Sequence, residues 1–203
     1  MQADNTQPVL AVFDFDGTLT DRHTFWRYMR YIAGTRSFWL RIIPLLPKML
    51  SVVVGITPLM QARLAFIACY LGGLSVDDER EHAKYFITEL LPLWLRPEAL
   101  RRLQWHQSMG HVTALVSNSP ENYLIPWGQA VGFDYVCGTR LATAKNKLTG
   151  SICGTNCVER EKVTRLKGCL SNLDDFYIYA YGDSSGDDAL LGIAHSPFYR
   201  NWY

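Results

Sequence analysis

The sequence predicts an α/β fold: a three-layer, Rossmann-like core with a mainly parallel sheet, interrupted by an inserted all-helical cap. Three observations predict it. First, short apolar runs rich in β-branched and aromatic residues occur at Val9 to Phe13, Val112 to Val116 and Phe176 to Tyr181. Continuous runs of this kind read as strands buried on both faces. Second, each run stops abruptly in polar residues: Asp14-Phe15-Asp16-Gly17-Thr18, Ser117-Asn118-Ser119-Pro120 and Gly182-Asp183-Ser184. In an open α/β sheet ligands bind beyond the carboxyl ends of the strands. Third, the segment from about Asp21 to Leu95 fits neither pattern, being helical in character, aromatic-rich and basic.

The remaining elements follow in order. Pro97 to Met109 reads as a helix ahead of the second strand. Glu121 to Val131 reads as the helix after it, with Ser119 as N-cap and Pro120 in the first turn. Alternation from Arg140 to Cys153 around Lys145-Asn146-Lys147 predicts a hairpin. Val158 to Leu170 and Asp187 to Ile193 are the last helices. The core is expected at residues 1–20 and 97–203, and the cap at residues 21–96.

Charge is unevenly distributed although the net is only +1. Between Arg22 and Val76 there is no Asp or Glu, whereas Arg22, Arg27, Arg30, Arg36, Arg41, Lys48 and Arg63 fall within that stretch. Such asymmetry points to an anionic partner for one face. The stretch mixes its cations with apolar residues and carries no nucleic-acid-binding motif, so nucleic acid is not the expected partner. Met1 to Pro8 is polar and lacks an apolar signal core. The five cysteines, an odd count, favour reduced thiols in the cytoplasm. The apolar run from Phe38 to Ala68 is broken by Arg41, Lys48, Arg63, Pro44, Pro47 and Pro58, so it does not read as a spanning helix. An interfacial segment remains open.

Four groups carry chemistry. Asp14 and Asp16 straddle a strand end just ahead of Gly17, which allows a tight turn. One carboxylate can attack phosphorus while the other manages the leaving-group proton. Asp183, in Gly182-Asp183-Ser184-Ser185-Gly186-Asp187-Asp188, converges on them if the two strand ends are neighbours. Carboxylates that close repel strongly, and a hard divalent cation such as Mg²⁺ resolves this. Ser117 and the backbone N–H groups after it, including that of Asn118, can hold a phosphoryl oxygen. Alone, Ser117 reads equally as a turn serine. Lys162, in the first turn of a helix, can offset charge on nucleophile and phosphate; alone it reads as an ordinary surface lysine.

These four blocks, in this order, resemble the haloacid dehalogenase-like superfamily. The strings VSNSPENYL, LTGSICGTNCVEREKV and YGDSSGDDALL are similar to its phosphoserine-phosphatase-like branch, which has a helical cap after the first motif. The resemblance implies Asp14 as nucleophile and Asp16 as acid and then base. It implies Mg²⁺ on Asp14, the carbonyl of Asp16 and Asp183, with Asp187 supporting the metal shell. It implies Ser117, Asn118 and Lys162 on the phosphoryl group.

For the substrate the chain departs from phosphoserine phosphatases, which place a glutamate nine residues after the nucleophile; His23 stands there. His23 and Arg27 are the expected substrate-selecting residues of the cap. Phe38 to Lys48 combines aromatic, aliphatic and cationic side chains, a mixture suited to a membrane interface. This Leu-Pro-rich run is similar to the cap of bacterial phosphatidylglycerophosphate phosphatases. The expectation is a phosphomonoester hydrolase acting on a phospholipid-type phosphate, cytoplasmic and peripheral at the inner face of an anionic membrane. A small soluble phosphomonoester such as phosphoserine or histidinol phosphate is the alternative, in which case the apolar cap residues are simply core.

Overall fold

The computed structural model describes residues 7–202. Most of the polar start read from Met1 to Pro8 therefore lies outside the described residues. The main sheet has the order β3-β2-β1-β6-β7, and every neighbouring pair runs parallel. Its strands are β1 (Val9–Phe13), β2 (Val112–Pro120), β3 (Tyr135–Thr139), β6 (Tyr177–Gly182) and β7 (Ser196–Tyr199). Phe13 pairs with Leu115 of β2 and with Tyr181 of β6. This register brings the residues after Phe13, Val116 and Tyr181 to one edge of the sheet, so the three polar strings share a crevice.

Alternation across the pleat divides the core. Leu10 and Val12 of β1 face one side with Ala114, Val116, Ile178 and Ala180. That side is covered by α8 (Arg160–Cys169) and α9 (Asp188–Gly192) through Leu166 and Leu190. Ala11 and Phe13 face the other side, under α6 (Pro97–Ser108) and α7 (Glu121–Ala130), which contribute Leu103, Tyr123, Leu124 and Trp127. Two helical layers therefore sandwich the sheet.

Between β1 and α6 the chain forms α1 (Thr24–Ala33), α2 (Thr35–Ile42), α3 (Leu46–Val53), α4 (Leu59–Leu71) and α5 (Val76–Tyr85), followed by short helical turns from Phe86 to Trp94. Pro44 and Pro47 stand at helix starts and Pro58 is the N-cap of α4. The prolines read as breaks in the apolar run thus begin helical turns, where a missing N–H costs nothing. Buried side chains of this helical insert, among them Phe25, Tyr28, Met29, Phe66 and Phe86, are continuous with Phe13 and Phe15 of the core.

The hairpin is β4 (Leu141–Ala144) and β5 (Lys147–Ile152). Lys145 and Asn146 both have positive φ, 49° and 58°, as a two-residue type I′ turn requires. The hairpin is tied to the insert. Gly73 N–H donates to Leu148 O at 2.8 Å, and Leu148 N–H donates to Leu74 O at 2.8 Å. Gly150 lies so close to α4 that a Cβ there would sit 2.7 Å from Ala68 Cα.

Two expectations are corrected. β2 runs on to Pro120 through an irregularity after Val116, rather than ending there. Pro120 itself is the N-cap of α7, and Ser119 does not cap the helix. The Ser119 hydroxyl is drawn off by a carboxylate of the site.

Candidate active site

Asp14 follows the last residue of β1 and is buried; its N–H donates to Tyr181 O of β6 at 2.9 Å. The chain then turns at Gly17 (φ 88°), with the N–H groups of Leu19 and Thr20 donating to Phe15 O at 2.9 and 3.0 Å. Any side chain at Gly17 would overlap the Asp183 carboxylate. Only glycine satisfies both the backbone angle and that approach.

Asp183 leaves the end of β6 into a short turn, Ser185–Asp187, ahead of α9. One oxygen of Asp187 accepts from Asp183 N–H at 3.1 Å, Ser184 N–H at 3.1 Å and the Ser184 hydroxyl at 3.0 Å. Its other oxygen accepts from Lys162 Nζ at 2.5 Å. Lys162 also donates to Asp14 Oδ1 at 2.5 Å. Asp187 is therefore a strut that fixes both the loop carrying Asp183 and the ammonium facing Asp14. Lys162 is placed by α8, whose start is tied to the same turn through Glu159 N–H donating to Gly186 O at 2.9 Å. Burial alone would lower the Lys162 ammonium, but the Asp14 and Asp187 carboxylates outweigh it and hold the group above its ordinary range. Burial pushes the Asp14 carboxyl up, to about 7; Lys162 opposes this, and Asp187 and Asp16 add to it. Asp183 is raised by burial and then by Asp187.

Carboxylate oxygens of Asp14, Asp183 and Asp187 all lie within 4.8 Å of one another. Lys162 is the cation in direct contact with this trio among the described residues. Three hard oxygen donors with one ammonium leave negative charge uncompensated, so the donor set fits a divalent cation such as Mg²⁺. Asp187 already spends both its oxygens on the lysine and the loop, which leaves Asp14 and Asp183 as the residues to hold the ion.

The Asp16 carboxylate points away from this trio. It accepts from Thr24 N–H at the start of α1 and from the Ser119 hydroxyl, each at 2.6 Å. The Tyr123 hydroxyl lies 2.9 Å from both Ser119 Oγ and Thr24 Oγ1, completing a buried network between sheet end and insert. Burial, and then the charge of Asp16, pushes the Tyr123 phenol well above its usual range. Nothing in the local pattern around Ser119 signals that it serves Asp16 rather than caps a helix.

A small niche of about 60 Å³ is lined by Asp14, Asp16, His23, Asn118, Lys162 and Asp187, among others. Ser117, expected on the phosphoryl group, does not line the niche: it is fully buried, and its hydroxyl accepts from Ser119 N–H at 3.1 Å. His23, Asn118 and Val158 line both the niche and a larger cavity of about 730 Å³, so the two adjoin. The insert lines that cavity with Phe25, Trp26, Leu59, Met60, Ala62 and Arg63.

Arg27 does not belong to this site. Its guanidinium stacks over Trp94, 4.5 Å from the ring centroid, and it lines neither cavity. The cation that the insert brings to the cavity is Arg63, which sequence reasoning did not single out; Arg160 lines the core side. Its guanidinium lies over Phe25 at 4.1 Å and donates through Nη2 to Asn118 O at 2.6 Å. Its Nε is buried without a hydrogen-bond partner among the described residues. Burial lowers its pKa, against the opposing charges of Tyr123 and Asp16. A signal was present: Arg63 is the only charged residue of α4, a mainly apolar helix that buries Ala62, Phe66, Ile67, Tyr70 and Leu71. An arginine alone on such a helix is costly unless it meets an anion.

Comparison with known proteins agrees with this geometry. Residues 11–191 match the family model of haloacid dehalogenase-like hydrolases. Protein CicA of Caulobacter vibrioides (strain NA1000 / CB15N) is 32% identical over 196 residues, 96% of this chain and 86% of that protein. A histidinol-phosphatase of Neisseria meningitidis serogroup C (strain 8013) is 28% identical over 142 residues, 66% of this chain and 64% of its own length. Among solved structures, a protein of unknown function from Bordetella pertussis Tohama I superposes with a TM-score of 0.82 at 25% identity, covering 95% of this chain and 89% of its own. A phospho-aspartyl intermediate analogue of phosphoserine phosphatase superposes with a TM-score of 0.64 at 20% identity, covering 95% of this chain and 86% of its own. With the buried Asp14–Lys162–Asp187 array at the carboxyl edge of a parallel sheet, the chain belongs to the haloacid dehalogenase-like hydrolases.

Proposed function

We propose that this chain hydrolyses phosphomonoesters through an aspartyl-phosphate on Asp14, with Mg²⁺ held by Asp14, Asp183 and the Asp16 carbonyl, and that its substrate is a lipid phosphate of the phosphatidylglycerophosphate type. The observation that carries the substrate reading is the cavity beside the niche. The insert gives it apolar walls and one buried guanidinium, and contributes no carboxylate to it. The core side adds Glu159, Arg160 and Glu161 to the lining, with Glu161 already paired to Arg165, so an ammonium-bearing substrate would find counter-charge only on that side and none on the insert. A phosphodiester or glycerol oxygen would find Arg63, and acyl chains would find Trp26, Leu59 and Met60.

The chemistry follows from the residues. A carboxylate oxygen of Asp14 attacks phosphorus, and the bond from phosphorus to the ester oxygen breaks. Asp16 gives its proton to the departing alkoxide. Asp16, now a carboxylate, takes a proton from water as that water attacks the phosphorus of the aspartyl-phosphate, and inorganic phosphate leaves with Asp14 restored. Thr24 N–H and Ser119 Oγ hold Asp16 in one rotamer for both proton transfers. Lys162 fixes Asp14 and offsets charge on the transferring group. When bound, Mg²⁺ supplies the positive charge that lets an anionic nucleophile approach an anionic phosphate. The fold boundaries expected from sequence give these parts their division of labour: residues 1–20 and 97–203 carry the reaction, and residues 21–96 act as the cap that selects the leaving group.

Phosphate release from a panel tests the reading: phosphatidylglycerophosphate in mixed micelles, lysophosphatidate, phosphoserine, histidinol phosphate and p-nitrophenyl phosphate, each with Mg²⁺ and with EDTA. The lipid phosphates should be preferred, and chelation should stop release until Mg²⁺ is restored. Activity indifferent to chelation removes the cation from the account. Preference for histidinol phosphate or phosphoserine would instead favour a small soluble substrate, a reading supported by the activity named for the Neisseria relative.

Arg63→Ala separates binding from chemistry. It should lower kcat/KM for the lipid phosphate by about 10- to 100-fold, the worth of a charge-assisted hydrogen bond, mainly through KM. The same change should leave p-nitrophenyl phosphate turnover within a few fold. An equal loss on both substrates would make Arg63 a support for Asn118 only.

A further inference from the structure

We infer that the outer face of α2 and α3 docks on the surface of an anionic lipid bilayer and thereby presents the cavity mouth to the membrane. The inference rests on the lipid-substrate reading only for what the docked enzyme meets.

The two helices are apolar on both faces. Phe38, Ile42, Leu45 and Met49, at helical spacing, turn inward against the core. The opposite face holds Trp39, Leu40, Ile43, Leu46, Leu50 and Val53, all at least half exposed. A helix on an aqueous surface places polar residues there. The strip continues past α3 into Val54 and Ile56, and Val53 and Ile56 are 81% and 78% exposed. An apolar patch this continuous on a soluble surface marks a contact site.

Charge selects the partner. Arg36, Arg41 and Lys48 are exposed among these residues and take part in no ion pair among the described residues. No acid lies between Arg22 and Val76 to compensate them. A second copy of the chain docked on the same face would set cations against cations, which disfavours a two-fold interface. An interface with anionic head groups above and acyl chains below satisfies both features, since long cationic side chains reach the head groups while apolar ones enter the boundary. Among the described residues no helix is long and apolar enough to cross a membrane, so the contact is one of docking.

Position ties the patch to the site. Leu59 is exposed three residues beyond Ile56, and Leu59 and Met60 line the cavity that adjoins the Asp14 niche. A lipid phosphate in the same leaflet would enter without passing through bulk water.

Flotation of the full chain with phosphatidylcholine vesicles, with and without phosphatidylglycerol, tests this with no turnover required. Binding is expected with phosphatidylglycerol at low salt and should fall as salt rises. The double variant Val53→Asp, Ile56→Asp should weaken vesicle binding at least tenfold while p-nitrophenyl phosphate turnover and thermal unfolding stay unchanged. A variant changing Arg36, Arg41 and Lys48 to Glu should lose the preference for anionic vesicles. Absence of binding at low salt, binding unaltered by both variants, or a dimer in light scattering that the Asp double variant dissociates would overturn the inference. Vesicle binding by a chain that hydrolyses only soluble phosphates would sink the lipid-substrate reading and leave the docking face standing.

Discussion

Asp14→Asn is expected to abolish phosphate release, by on the order of 10⁵-fold or more, the scale on which removal of a covalent nucleophile acts. The fold should survive. Asn is close to isosteric with Asp, its oxygen can still accept from Lys162, and Lys162 keeps its second carboxylate on Asp187. Without a cation the variant should be the more stable protein at neutral and higher pH. Burial raises the Asp14 carboxyl to about 7, above its unfolded value. Its contribution to stability is therefore fully present below about pH 4, the unfolded range, and is lost as pH rises through about 7. Thermal unfolding in EDTA should show the variant gaining on the parent across that window. Retained metal-dependent turnover in Asp14→Asn would sink the mechanism.

Asp16→Asn should cost about 10²- to 10⁴-fold in steady-state turnover, the range for loss of a general acid and base. The two steps should respond differently. A good leaving group such as p-nitrophenolate needs little help from an acid, so the first step is spared, whereas hydrolysis of the aspartyl-phosphate still lacks its base. The expected result is a burst of p-nitrophenolate approaching one equivalent per site, followed by very slow turnover. The fold should again hold, because an Asn oxygen can accept from Thr24 N–H while its amide donates to Ser119 Oγ, in place of the two bonds the carboxylate accepts. Equal losses on good and poor leaving groups with no burst would remove Asp16 from the second step.

Much of the fold was legible because buried parallel strands are written as unbroken apolar runs. Val9 to Phe13, Val112 to Val116 and Tyr177 to Tyr181 pair side by side in the centre of the sheet. The edge strands were not legible. Tyr135–Thr139 and Ser196–Tyr199 are short, each includes a Gly or Pro, and β7 is half exposed, so neither makes a continuous run. In the site, Asp14 and Asp183 could be placed from strand ends, where local sequence dictates position, whereas Lys162 and Asp187 were expected there only through the family resemblance. Arg63 and Ser119 could not be placed, because their partners are distant in sequence. Arg63 meets the Asn118 carbonyl, a contact that exists only once the insert has packed on the sheet, and Ser119 meets Asp16, a contact made only once β1 and β2 lie side by side. Arg27 failed for the complementary reason. It lies one helical turn beyond His23, yet Trp94 stacks against its guanidinium and holds it out of the cavity.

The covalent intermediate is the central claim, and peptide mapping after rapid acid quench tests it most directly. The chain, mixed with Mg²⁺ and p-nitrophenyl phosphate and stopped within a single turnover, should carry one phosphoryl group on the peptide containing Asp14. The adduct should accumulate in Asp16→Asn and be absent in Asp14→Asn. A phosphoryl group on a histidine or serine, or rapid turnover with no adduct in any variant, would contradict the account.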